Sequence, residues 1–207
     1  SFAHCIYLEE CKPEDKTTIE GMTTSQNDEK RELMLKTLLS GIKNNKNPRC
    51  HYFGAGAISE LQFVLVERSL NNKDGHAIYL IDQFFEQNLG KLGQLPTSEK
   101  DVMIYVNTED EPTTHYVNGL MDELLKNCAG KPLAVIGIGG GITMDVAKAI
   151  SNLLTNGGHA EDYQGWDLVK NPGIYKVGAP SLAGSGAEAS VLSLLGAESR
   201  HEFLVGR

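Results

Sequence analysis

Apolar side chains recur at Val117, Leu120, Met121, Leu124, Leu125 and Cys128, and steps of three and four residues place them along one side of a helix. Ile58, Leu61, Val64 and Leu65 repeat this pattern, as do Val146, Ala149, Ile150 and Leu153. Between the stripes lie short apolar runs at 77–81, 102–106 and 133–138, and a further strand-length segment, Tyr175–Ala179, follows them. Runs of five or six bounded by polar or glycine residues have strand length, and their lack of alternation predicts strands buried on both faces. Tyr52-Phe53 with the glycine turn Gly54-Ala-Gly56 adds another short strand. Strands separated by helices predict an α/β fold, a parallel sheet with helices on both faces. Ahead of it, Leu35, Leu38, Leu39 and Ile42 follow a capping pattern at 25–28 and stop at Asn44–Asn47 and Pro48. The chain therefore divides into a head, residues 1–48, with one amphipathic helix, and an α/β domain, residues 49–207.

One strand-to-helix junction carries candidate chemistry. The run Leu133–Ile138 meets Gly139, Gly140 and Gly141 and passes straight into the helical pattern Ile142-Thr-Met-Asp145. Residues without Cβ let a ligand approach the backbone, and the N–H groups and positive dipole end of the following helix attract an anion. A nucleotide pyrophosphate fits that chemistry, although Ile142 stands where the common G-x-G-x-x-G fingerprint needs its last glycine. Asp82 closes the buried run 77–81, where its carboxylate either accepts both ribose hydroxyls of an adenosine or caps the residues after it. In the ribose role it repels a 2′-phosphate and favours NAD over NADP. A second glycine cluster, Pro180-Ser-Leu-Ala-Gly-Ser-Gly-Ala-Glu188, offers the Ser181 and Ser185 hydroxyls to the nicotinamide end. It lacks the G-x-S-x-G spacing of a nucleophile elbow. Tyr163 and Trp166 either cover substrate or pin a long loop, and Ser40-Gly-Ile-Lys43 reads as a chance match to a nucleophile motif.

Charge narrows the partners. The formal net charge is −8, and the excess lies in 51–207, with nineteen acidic against eleven basic residues. That balance argues against nucleic acid and against anionic membranes, and no apolar run reaches the length of a membrane span. Cys5, Cys11, Cys50 and Cys128 are scattered without a C-x-x-C pair, as expected of reduced thiols in a cytoplasmic protein.

Taken together, Phe53-Gly-Ala-Gly-Ala57, Asp82, Glu111-Pro-Thr113, Gly139-Gly-Gly-Ile-Thr-Met-Asp145 and Ala183-Gly-Ser-Gly-Ala-Glu188 carry a family likeness. The stretch Tyr52–Ser190 resembles the nucleotide-binding domain of the iron-containing (group III) alcohol dehydrogenases, relatives of glycerol dehydrogenase and dehydroquinate synthase. The resemblance implies a Rossmann-like, dehydroquinate synthase-like N-terminal domain that moves a hydride between an alcohol and NAD or NADP. On matching positions it implies that Gly139, Gly140, Gly141, Thr143 and Asp145 hold the pyrophosphate and its helix. Asp82 would hold the adenosine ribose, and Ser181, Leu182 and Ser185 the nicotinamide half. Within the family, Ala160–Gly178 is most similar to the octulosonate 8-oxidase branch, which oxidises the terminal alcohol of 3-deoxy-D-manno-octulosonate.

The family's iron or zinc is held by one aspartate and several histidines of a later helical domain, which is expected to be absent here. His4, His51, His76, His115, His159 and His201 show no ligand spacing, so no metal site and no turnover by this chain alone are expected. The implied partners are a small alcohol or sugar acid and, in a homodimer, a second copy. Two alternatives remain: a shortened nucleotide-binding protein without catalysis, and a lyase of the dehydroquinate synthase type.

Overall fold

The computed structural model describes residues 5–8, 50–54, 56–70, 72, 75–128, 130–165, 168–190, 192–196 and 201–205. The head helix at 35–42, the Ser40 motif and Trp166 lie outside the described residues. Six strands form one sheet: β1 (Cys5–Leu8), β2 (Cys50–Phe53), β3 (Ala77–Asp82), β4 (Val102–Val106), β5 (Ala134–Gly139) and β6 (Lys176–Pro180), in the order β2-β1-β6-β5-β3-β4. Strands β4, β3, β5 and β6 run parallel, whereas β1 is antiparallel to both β6 and β2. The expected α/β sheet is therefore present, extended by an antiparallel edge.

Among the described residues, three α-helices cover it: α1 (Leu61–Ser69), α2 (Thr114–Asn127) and α3 (Gly141–Asn156). Alternate side chains of β3 explain the two layers. Ile78 and Leu80 pack into one core with Val117 and Leu124 of α2 and Val146 and Ile150 of α3. Tyr79 and Ile81 pack into the other with Leu61 and Val64 of α1 and with Phe85. All six residues of β5 are buried, which is why its sequence shows no alternation. Gly137, in its middle, admits α3 closely, since a Cβ there would lie 3.0 Å from Ala147 Cβ and 3.1 Å from Met144 Cε.

Two elements depart from the periodicity reading. Leu125 is 65% exposed, because at eight residues from Val117 it has rotated about 80° off the centre of the α2 stripe. Helix α3 is buried well beyond one face, with Asp145, Lys148, Ser151 and Asn152 also inside. Two segments account for this second burial: the stretch ahead of β6, where Ser151 Oγ donates to Ile174 O at 2.6 Å, and, beside Asp145, a hairpin of β7 (Leu192–Gly196) and β8 (His201–Val205), a separate antiparallel pair. Ser193 Oγ donates to the Asp145 carbonyl at 3.0 Å, and Gly196 N donates to Pro112 O at 2.8 Å. No helix among the described residues is long and apolar enough to cross a membrane.

Candidate nucleotide site

At the carboxyl end of the parallel strands, the turn between β5 and α3 is a single residue. Strand β5 ends at Gly139, Gly140 is the N-cap in extended conformation, and α3 begins at Gly141. No side chain caps this helix, so the N–H groups of Gly141, Ile142 and Thr143 have no partner from the helix itself. They and the positive end of a 16-residue dipole meet at one point. Thr143 is fully buried there, and among the described residues its Oγ1 has no hydrogen-bond partner. A buried hydroxyl without a partner carries a desolvation penalty.

The remaining candidates converge on the same turn. A Cβ placed on Gly139 would lie 2.8 Å from Asp82 Cβ and 2.8 Å from Thr143 Cβ, so the end of β3 abuts the start of α3. Ser181 N donates to Gly139 O at 2.8 Å. Leu182, 68% exposed, approaches the Cβ position of Gly140 at 3.6 Å, and Ser185 Cβ that of Gly141 at 3.2 Å. The second glycine cluster, with Gly184 and Gly186 at positive φ, thus folds over the first. Ser185 Oγ accepts from Ala187 N at 3.3 Å.

Asp82 takes the capping role that its sequence position offers. Its Oδ1 accepts from Phe84 N at 2.9 Å, capping the short 3-10 helix Gln83–Phe85, and from Thr108 Oγ1 at 3.0 Å. The loop after β4, Asp82 and the glycine turn are therefore neighbours, as the strand-end argument requires. The half-exposed ring of Phe84 beside them packs edge-on against Phe85 and lies under Lys91.

Asp145 is placed differently. Its carboxylate meets Lys148 Nζ at 2.6 Å and accepts from the backbone of Leu194 in β7. Burial pushes Asp145 above the ordinary carboxylate range, with Lys148 and Leu194 opposing that shift. Burial likewise lowers Lys148, with Asp145 opposing. Asp145 thus ties α3 to the hairpin. Tyr163 Oη donates to Gly157 O at 2.8 Å, so this ring pins its loop.

Thr108 and Lys148 were not singled out from the sequence. Thr108 sits in a polar loop with no periodic signal. Lys148 had one, an Asp-x-x-Lys spacing inside an otherwise apolar helix. Among the described residues, no group of three or more His, Cys, Asp or Glu is arranged to hold a metal ion.

Residues 48–206 match the family model for iron-containing alcohol dehydrogenase. The sulfoacetaldehyde reductase of Bilophila wadsworthia is 30% identical over 149 residues, 69% of this chain and 36% of that protein. The NAD-dependent methanol dehydrogenase of Bacillus methanolicus is 34% identical over 96 residues, 46% of this chain and 24% of that protein. The crystal structure of sulfoacetaldehyde reductase from Bifidobacterium kashiwanohense in complex with NAD+ superposes with a TM-score of 0.56 at 21% identity, covering 74% of this chain and 40% of that one. At this identity the match shows the shared fold. The chain spans about a quarter to two fifths of the length of these relatives.

Proposed function

The chain belongs to the iron-containing alcohol dehydrogenase family, and from that premise we propose that residues 49–207, with β1 of the head completing the sheet, form the NAD-holding domain of an oxidoreductase acting on an alcohol–aldehyde pair. The observation that carries this reading is the partnerless Thr143 hydroxyl, fully buried at an uncapped helix start. In the proposal, the N–H groups of 141–143 and Thr143 Oγ1 donate to the pyrophosphate. Asp82 accepts from the adenosine ribose, while Ser181, Leu182 and Ser185 border the nicotinamide half. Asp145 holds α3 in place from behind. Bound NAD supplies the hydride acceptor; the protein's part here is to orient it and exclude water. The described residues do not fit a metal ion, so no alcohol-activating step is assigned to them.

Thr143→Val tests the phosphate role. The variant removes a buried donor that has no protein partner, so without nucleotide its unfolding midpoint should hold or rise. Its NAD affinity, measured by calorimetric titration, should fall about fivefold. Unchanged NAD affinity would remove Thr143 from the site.

Asp82→Ala tests the ribose role. Loss of a charged acceptor should weaken NAD about tenfold and leave NADP nearly unchanged. An equal effect on the two nucleotides would refute the assignment.

For substrate, we propose a polyol or sugar acid, with the C8 alcohol of 3-deoxy-D-manno-octulosonate as the specific case. Support comes from Ala160-Glu-Asp-Tyr-Gln-Gly-Trp-Asp-Leu-Val-Lys-Asn-Pro-Gly-Ile-Tyr-Lys-Val-Gly178. An NADH-formation assay on the longest natural form of the protein, comparing this acid with methanol and with sulfoacetaldehyde in reverse, decides the substrate.

A further inference from the structure

The loop after β4 does more than approach Asp82. Two donors from separate segments, Phe84 N and Thr108 Oγ1, converge on the same oxygen, Oδ1, at 2.9 and 3.0 Å. A carboxylate rotates about a broad, two-fold torsion, and two donors from different segments on one oxygen restrict that freedom. Among the described residues, both bonds to this carboxylate end on Oδ1, which leaves Oδ2 as the acceptor for a ligand.

Thr108 is itself held. Asn107 N donates to Tyr116 Oη at 2.9 Å, and Glu109 N donates to Asn107 Oδ1 at 2.9 Å. The side-chain bond to the backbone two residues on forms an Asx turn, and Tyr116 anchors that turn to α2, where its ring packs on the core. The Thr108 hydroxyl therefore sits in a turn fixed before any ligand arrives.

We infer that Thr108 is a positioning residue that sets the preference for NAD over NADP by holding the Asp82 carboxylate with Oδ2 turned to the ribose. The inference rests on the assignment of Asp82 to the adenosine ribose. Preorganising the acceptor raises affinity by sparing the ordering cost at binding. A 2′-phosphate meets like charge in either orientation of the carboxylate, so NADP gains nothing from the constraint.

The experiment is calorimetric titration of the 207-residue chain with NAD and with NADP, for the unsubstituted protein, Thr108→Val, Thr108→Ser and Asp82→Ala. Thr108→Val keeps the shape and removes the donor. It should weaken NAD about fivefold with NADP changed less than about twofold, and Thr108→Ser should restore NAD binding. NADP titration of the same sample shows that the variant site is folded. If Asp82→Ala weakens NAD selectively while Thr108→Val leaves the NAD-to-NADP ratio unchanged, the positioning role is wrong and the ribose reading stands. If Thr108→Val weakens both nucleotides equally, or Thr108→Ser fails to rescue, the role is likewise overturned. If Asp82→Ala affects neither nucleotide, the ribose reading fails and takes this inference with it.

Discussion

Lys148→Met lowers stability by about 3–5 kcal/mol at neutral pH, the loss expected when one partner of a buried ion pair is removed. The Lys148 and Asp145 side chains are 11% and 9% exposed and meet at 2.6 Å. Without the ammonium, the carboxylate remains in a medium that disfavours its charge, and among the described residues the Leu194 N–H is left to compensate. For a chain of this size the midpoint of thermal unfolding falls by about 10 °C.

The pH dependence follows from direction. Burial already raises Asp145 above its ordinary value, and removing Lys148 raises it further. A raised carboxylate contributes stability below its unfolded-state pKa, about pH 4, and that contribution is lost as pH rises through the folded-state value. The deficit of Lys148→Met relative to the unsubstituted chain should therefore shrink from neutral pH toward about pH 5. Adding Asp145→Asn should recover most of the loss, because the stranded Asp145 charge is gone and the amide oxygen still accepts from Leu194. Urea unfolding at the two pH values measures both effects. A deficit independent of pH would show that lost packing of the lysine stem, not the stranded carboxylate, destabilises the variant.

Gly139→Ala is the second large effect, and its origin is steric. The new methyl group would lie 2.8 Å from both Asp82 Cβ and Thr143 Cβ. These atoms are fixed by backbone, so no rotamer change relieves the overlap. Overpacking of this kind costs about 1–3 kcal/mol, and relief requires the end of β3 to part from the start of α3. Because those two ends also hold the proposed ribose and pyrophosphate contacts, NAD affinity should fall by more than about tenfold. Gly140→Ala provides the comparison, since its Cβ would meet only Leu182 Cδ1 at 3.6 Å. Equal losses for the two variants, by calorimetric titration and thermal unfolding, would remove the steric explanation.

The candidate site was legible where local chemistry carries the signal. Three consecutive glycines before a helical stripe, and a carboxylate closing an apolar run, announce themselves in any order of elements. Thr108 was not legible, because its partner is 26 residues away and nothing in Asn107-Thr-Glu109 marks the hydroxyl that will turn inward. Asp145 was visible as part of the glycine motif, but its orientation depends on a hairpin whose short, mixed sequence gives no clear period.

The sequence by itself determined the elements of β3, β4, β5 and β6, the helices between them and the glycine turn, because strand and helix periods and backbone freedom are properties of neighbouring residues. Only the tertiary structure decided the strand order, the antiparallel edge, the second burial of α3 and the two bonds on Asp82. Those depend on which distant segments share a surface, and burial in common, rather than proximity in the chain, sets them.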